Sequence, residues 1–223
     1  MAGNRTHFLS LLENEHMHAF CAYASDFAPF RAQISEHNLF ADFDKGIEKC
    51  VFMDQFHSNK VLDFDKDNLN LRGDGLLSSQ KKLALCVLSA DCLPLLLWHE
   101  AGFIVALHSG RQGCFSNILK QALLLLEQKQ LEASKASLII GAEICAKNYQ
   151  ISGEILEEAR AKFKDFLTGD RLDLKGLVRA QAKKLGVGRI YESELCSFEN
   201  ELFYSYRRDK SAKRFASVIY LKG

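Results

Sequence analysis

Between Ala84 and Gly113 the chain reads "ALCVLSADCLPLLLWHEAGFIVALHSGRQG", a succession of short apolar runs with little polar sequence between them. Runs of this length, rich in Leu, Val and Ile and bounded by turn residues, read as strands. "LPLLLW" and "FIVALH" flank "HEAG", which reads as a four-residue hairpin turn ending at Gly102 and pairing Trp98 with Phe103. Counted back, that register sets Leu93 opposite His108, with Cys92 one residue further out. A thiol and an imidazole then share one end of the hairpin.

Further strand-like runs are "MHAFCAY", "CVFMDQFH", "NKVLDFD", "LALCVLSA", "ASLIIGAE", "GRIYES", "LFYSYRR" and "FASVIYL". Helical periodicity is confined to "FSNILKQALLLLEQKQL", "GEILEEARAKFKDFL" and "LKGLVRAQAKKLG", where apolar residues recur three and four apart. The two kinds of element are intermixed without regular βαβ alternation, so the fold class expected is α+β, with mixed, largely antiparallel sheets covered by helices. With 223 residues, only Pro29 and Pro94 as prolines, and no low-complexity linker, one domain over 1–223 is expected.

A formal net charge of +1 gives no overall attraction to nucleic acid or to an anionic membrane surface. Neither a spanning apolar run nor a signal-peptide core is evident, so a cytoplasmic protein is expected. The seven cysteines are scattered without a C-x-x-C pair, which argues against a disulfide framework or a zinc knuckle.

Taken singly, a buried Cys is an inert small hydrophobe and a buried His a hydrogen-bonded core residue. Together at one hairpin end, Cys92 and His108 are candidates for shared chemistry. His57, in "DQFHSNKV", is a third candidate that spacing alone cannot add, and Gln55 and Asp91 are placed to orient the group. After His108, Gly110 and Gly113 lead from strand to helix beside Arg111, either as a plain tight turn or as a backbone cradle for an anion. "FYSYRRDKSAKRFASVIYL" reads as a second hairpin with Arg207 and Arg208 on opposite strand faces, one of them needing an anion partner or a rim carboxylate. His16 and His18, in "HMH", read as solvated residues of an edge strand.

"DQFHS", "LSADCLPLLLW", "LHSGRQG" and "LFYSYRRDKSAKRFASVIYL" occur in the order of motifs that mark the YfiH-like proteins, also known as the multicopper polyphenol oxidase (laccase-domain) family and as purine nucleoside phosphorylases. The resemblance runs from about Gln55 to Leu221. It implies that His57, Cys92 and His108 are catalytic and hold one zinc. Such a Cys-His-His set leaves a fourth tetrahedral position open, as catalytic zinc sites do, and copper would also accept it. It further implies small-molecule nucleoside and phosphate substrates, with phosphorolysis of adenosine, inosine or methylthioadenosine and a second, adenosine deaminase activity. Gln55, Asp91, Gly110, Arg111, Arg207 and Arg208 are then candidates for substrate binding, and Phe56 and Tyr206 for stacking on a base.

Two departures from the family pattern stand out. H-A-G-W-R-G is "HSGRQG" here, with Arg111 at the tryptophan position and Gln112 at the arginine position, and G-P-A-I-G-P-C-C-Y-E-V is "GAEICAKNYQI", with Lys147 and Asn148 replacing a cysteine pair. The family fold also resembles that of toxin deamidases with a Cys-His pair. A cysteine hydrolase or amidase acting in peptidoglycan precursor editing, a copper-dependent polyphenol oxidase and a non-enzymatic metal-binding module therefore remain alternatives.

Overall fold

The computed structural model describes residues 6–223. Two six-stranded sheets stack face to face. The first contains β1 (His7–Glu13), β2 (Met17–Tyr23), β3 (Gln33–Ser35), β4 (Lys49–Phe52), β7 (Leu83–Ser89) and β14 (Phe215–Leu221), in the order β1-β2-β14-β7-β4-β3. The second contains β5 (Val61–Asp63), β6 (Gly75–Ser78), β8 (Leu93–His99), β9 (Phe103–Ser109), β10 (Ala136–Ile140) and β13 (Arg189–Glu192), in the order β13-β10-β8-β9-β6-β5. Pairing is antiparallel except at β4–β7, β5–β6 and β10–β13. Among the described residues a ribbon of β11 (Leu167–Thr168) and β12 (Arg171–Leu172), four short 3-10 turns and five α-helices complete the fold: α1 (Arg111–Phe115), α2 (Ile118–Gln128), α3 (Gly153–Lys162), α4 (Leu174–Lys184) and α5 (Tyr206–Asp209). The architecture is α+β with largely antiparallel sheets. No helix among the described residues is long and apolar enough to cross a membrane.

The continuous apolar runs arise because both faces of the central strands are covered. On β8, Leu93, Leu95 and Leu97 face α2 and α4, packing with Leu119, Leu126, Leu177 and Val178. Leu96 and Trp98 face the first sheet, where Ala19, Leu85, Val87 and Ile219 meet them. Each such leucine contributes about 1.5–3 kcal/mol by leaving water, which fixes the alternation and hence which residues end up at the strand ends. The outer face of the first sheet is closed by Phe27, Phe40 and Ile47 from an irregular segment over Phe20, Phe52, Cys86 and Tyr220.

Three sequence expectations differ. The β8–β9 turn is shorter than "HEAG": His99 itself pairs with Phe103, so Pro94, not Leu93, lies opposite His108. This one-residue change matters, because a position two residues from Pro94 shares its face. Cys92 therefore lies on the same side of the sheet as His108, which the expected register would have denied. Second, "SYRRD" is not a strand. Ser205 caps α5, accepting from Arg208 N at 3.2 Å, and an Asp209 carboxylate oxygen returns to Ser205 N at 3.3 Å, so a reciprocal capping pair winds this stretch into one helical turn. Third, β2 is paired on both sides, and His18 is buried, with its Nδ1 2.6 Å from Asp44 Oδ2 and its Nε2 3.0 Å from Ser10 Oγ.

Candidate metal centre

Asp74, which lies between Gly73 and Gly75 immediately before β6, organises the site. Its carboxylate is fully buried and accepts from Phe56 N (3.2 Å), His57 N (3.0 Å), Ser58 N (2.7 Å) and Ser58 Oγ (2.7 Å). The same carboxylate accepts from His108 Nδ1 at 2.8 Å. Winding the 56–58 backbone around one acceptor requires a left-handed residue, and His57 takes that role at φ 64°. Burial alone would raise the Asp74 pKa, but the His108 hydrogen bond and those from Ser58 override it and hold the carboxyl down at about 2.

With Nδ1 of His108 committed to Asp74, its Nε2 is the nitrogen left for other work. The rings of His57 and His108 lie 4.8 Å apart, nearly perpendicular at 78°, and His57 Nε2 is 3.9 Å from Cys92 Sγ. One donor atom from each of His57, Cys92 and His108 falls within 4.8 Å of the other two. A tetrahedral zinc with bonds of ~2.0–2.3 Å needs donors roughly 3.3–3.8 Å apart, so little movement would bring the three to one ion. His108 is buried, Cys92 half-buried and His57 exposed, which leaves the group open on the His57 side.

Electrostatics suit a cation. Burial would push the Cys92 thiol up, yet the positive charge and hydrogen bond of His108, followed by those of His57, bring it down to about 6. Burial correspondingly disfavours the His108 imidazolium, but the Cys92 thiolate and Asp74 raise it to about 9. Both shifts favour a thiolate–imidazolium pair in the metal-free chain. Space is also reserved: a Cβ at Gly110 would sit 3.0 Å from His57 Cδ2 and 3.1 Å from Cys92 Sγ. Gly110 therefore fits here as a residue without a side chain. It is also the N-cap of α1, and Gly113 lies buried inside that short helix, so the two glycines do lead from β9 into a helix.

The side chains nominated as orienting groups, Gln55 and Asp91, hydrogen-bond to residues other than the three donors. Gln55 exchanges both side-chain hydrogen bonds with Leu88, at 2.8 Å each. Asp91, left-handed at φ 94°, accepts from Ser197 Oγ (2.8 Å) and Arg207 N (2.7 Å), tying the turn before Cys92 to α5. Arg208 is consumed by the fold. It donates to the carbonyls of Ser197 (3.0 Å), Phe198 (2.8 Å) and Phe203 (2.6 Å) and pairs with Asp209 at 2.7 Å. Arg207 donates to Gln150 O at 2.8 Å, with its guanidinium 5.4 Å over the Tyr149 ring. Arg111 lies over Phe115 at 5.7 Å. Phe56 is covered by Arg72 at 5.2 Å.

A cavity of about 500 Å³ opens onto the three donors and is lined also by Arg31, Gln55, Leu88, Ala90, Tyr206 and Arg214. Arg31 is paired with Asp54 at 2.8 Å, whereas the Arg214 guanidinium has no carboxylate partner among the described residues and donates to the nearby carbonyls of Ser211 and Lys213, while the Arg214 backbone N–H donates to Asp26 Oδ1 at 3.0 Å. A slightly larger hollow, about 600 Å³, lies against α2 and carries no nucleophile or metal-ligand cluster.

Residues 31–222 match the family model described as multi-copper polyphenol oxidoreductase laccase. This chain belongs to that family. A Campylobacter jejuni protein named purine nucleoside phosphorylase is 54% identical over the full length of both chains. Escherichia coli YfiH, also named purine nucleoside phosphorylase, is 30% identical over 78% of this chain and 74% of its own. In fold, the chain is similar to the crystal structure of Bacillus licheniformis YfiH, with a TM-score of 0.77, 24% identity and coverage of 92% and 93% of the two chains. Neisseria meningitidis NMB0706 gives the same TM-score at 19% identity, covering 97% and 99%. The laccase-family match and the full-length relative extend the likeness well upstream of Gln55, through the segment whose Arg31 lines the cavity. Asp74 is the site residue that sequence reasoning missed. Its one sequence signal is an acidic residue between two glycines immediately before an apolar run.

Proposed function

We propose that this chain is a zinc-dependent purine nucleoside phosphorylase acting on adenosine, inosine or methylthioadenosine, with adenosine deamination as a second activity. The observation that carries it is the convergence of His57, Cys92 and His108 within 4.8 Å, beside a cavity of nucleoside size that is also lined by Arg214, whose guanidinium has no carboxylate partner among the described residues. The names of the relatives agree with it. One thiolate, two neutral imidazoles and a zinc sum to +1, which Asp74 behind His108 neutralises, so the donor set fits the ion. When bound, zinc supplies a Lewis acid able to polarise a phosphate or a water.

The protein's own part is positional. Asp74 fixes the His108 tautomer so that Nε2 faces the shared point. Arg214, seconded by Arg31, holds phosphate at the ribose carbon by charge-assisted hydrogen bonds, and Tyr206 stacks on the purine. Arg207 lies over the Tyr149 ring at 5.4 Å, and the charge of Arg111 also acts on that phenol. Burial first, and then the Cys92 charge, pushes that phenol up to about 12 against the pull of both arginines. Their place in substrate binding is secondary to Arg214. The core shared by the two sheets supports one domain, and a net charge of +1 fits a small-molecule substrate better than nucleic acid. The unpaired cysteines suit a reducing compartment such as the cytoplasm.

Cys92→Ser is the test, because a hydroxyl stays protonated where the thiolate supplied charge. Zinc occupancy and phosphate-dependent nucleoside cleavage are expected to fall together. Retained zinc with abolished turnover would favour a second reading supported by the lowered Cys92 thiol: a hydrolase in which Cys92 is nucleophile, His108 base and Asp74 the group that orients it. Copper in place of zinc at the same donors is the oxidase variant of the first reading.

A further inference from the structure

A second set of donors lies in the segment where "GAEICAKNYQI" departs from the family pattern. Cys145 Sγ, Cys196 Sγ and a carboxylate oxygen of Glu199 fall within 4.8 Å of one another, although the residues come from two separate loops. All three surround a single atom: Asn148 Nδ2 lies 2.7 Å from Glu199 Oε1, 3.1 Å from Cys145 Sγ and 3.7 Å from Cys196 Sγ. An amide nitrogen carries two hydrogens, so three acceptors converging on it exceed what it can satisfy. Cys145 N adds a donor to Cys196 Sγ at 3.2 Å, fixing that sulfur's direction. Rotating the Asn148 amide by half a turn turns Oδ1 toward the three groups as a fourth donor, and spreading the 2.7 Å and 3.1 Å separations from Glu199 and Cys145 by roughly 0.5 Å would give tetrahedral spacing. Lys147 Nζ, 2.7 Å from Glu199, stands outside it.

We propose that Cys145, Cys196, Glu199 and Asn148 Oδ1 form a second metal site, structural rather than catalytic, for a thiophilic divalent cation of the zinc class. Two thiolates and a carboxylate carry −3; a divalent ion leaves −1, which Lys147 offsets. The set is closed, with all four tetrahedral positions filled by protein atoms, as in structural zinc sites. Binding replaces two S–H bonds by two metal–sulfur bonds and releases two protons to solvent, with no redox change. The ion would clamp residues 143–148 to the 196–199 turn, and both segments hold Asp91: Ile144 N donates to its carbonyl at 3.0 Å and Ser197 Oγ to its carboxylate at 2.8 Å.

The probes are Zn²⁺ and Cd²⁺ added to reduced, chelator-stripped full-length chain. Wild type is expected to take up two zinc ions, and Cys92→Ser, Cys145→Ser and the exposed Glu199→Gln one each. Cys92→Ser should still develop cadmium–thiolate absorption and gain thermal stability with zinc; Cys92→Ser with Cys145→Ser should do neither. Because the two sites are counted separately, failure here is distinct from failure of the proposed catalytic centre. One zinc per wild-type chain, with Cys145→Ser unchanged in metal content, overturns the site. So does a Cys145–Cys196 disulfide in protein isolated without reductant, if the pair takes up no zinc after reduction.

Discussion

Replacing Asp74 by asparagine keeps the side chain's size and removes its charge at the point where fold and site are joined. The carboxylate takes donors from Phe56, His57 and Ser58 as well as His108 Nδ1. An asparagine offers one oxygen and turns an amide NH₂ toward groups that are themselves donors. Losing a buried charge-assisted hydrogen bond and leaving a donor unmet costs about 1.5–3 kcal/mol, so the metal-free variant should lose about that much unfolding free energy. Loss of the carboxylate behind a ligating histidine typically weakens metal binding about 10- to 100-fold, or about 1.4–2.7 kcal/mol. Zinc competition against a chromophoric chelator measures the second effect and denaturant titration of the stripped protein the first. Asp91→Asn is the control, since the Asp91 carboxylate touches Ser197 and Arg207 but none of the three donors. It should cost stability and leave zinc affinity at Cys92 intact. If both variants lose stability alike and both bind zinc as tightly as wild type, Asp74 is only a loop anchor and the histidine-orienting role is wrong.

Gly110→Ala places a Cβ 3.0 Å from His57 and 3.1 Å from Cys92, so zinc affinity should fall at least ~tenfold, while Gly113→Ala, with its nearest contact at 3.4 Å, should retain it; chelator competition compares them. Arg214→Ala should raise the KM for phosphate by at least ~tenfold, worth ~1.4 kcal/mol, and spare deamination, whereas Arg208→Ala should instead lower the thermal midpoint, its guanidinium being spent on main-chain carbonyls. In metal-free protein the folded chain loses the Cys92 proton near 6 and the His108 proton near 9, and the unfolded chain loses them in the opposite order near 9.0 and 6.5. Proton counts nearly match, so unfolding free energy from this pair should be flat between those limits. Asp74, depressed to about 2 from 3.8, adds stability that is present above 3.8 and lost as pH falls through 2, on the order of 2 kcal/mol. Denaturant midpoints across pH check both statements, and a steep slope between pH 7 and 8 would contradict the first.

The strands and long helices were legible because β7, β8, β9 and β14 are continuous apolar runs bounded by turn residues, while α2 and α4 carry their burial in their periodicity. The meeting of Cys92 and His108 was legible too, since a hairpin makes neighbours of its two ends. The register was not, because "HEAG" does not reveal that His99 belongs to the strand and that only Glu100, Ala101 and Gly102 turn. "SYRRD" misled because aromatic and alternating residues read as a strand, while the decisive interaction is the local Ser205–Asp209 cap. Asp74 escaped because an aspartate between glycines reads as a turn until the loop that folds onto it is seen. His57 became a neighbour only through that same carboxylate. Arg214 escaped for a similar reason: nothing in "KRFASV" tells that the residue before β14 reaches a cavity formed by β7, β9 and the 56–58 loop.

The central claim is tested most directly by phosphate-dependent cleavage of inosine across a cycle of metal removal and return. Stripped of metal, the chain should release no hypoxanthine. After zinc is restored to the His57, Cys92 and His108 group, it should release hypoxanthine and ribose 1-phosphate in equal amounts, and only when phosphate is present. Cleavage that survives stripping, or that proceeds equally well without phosphate, would contradict it.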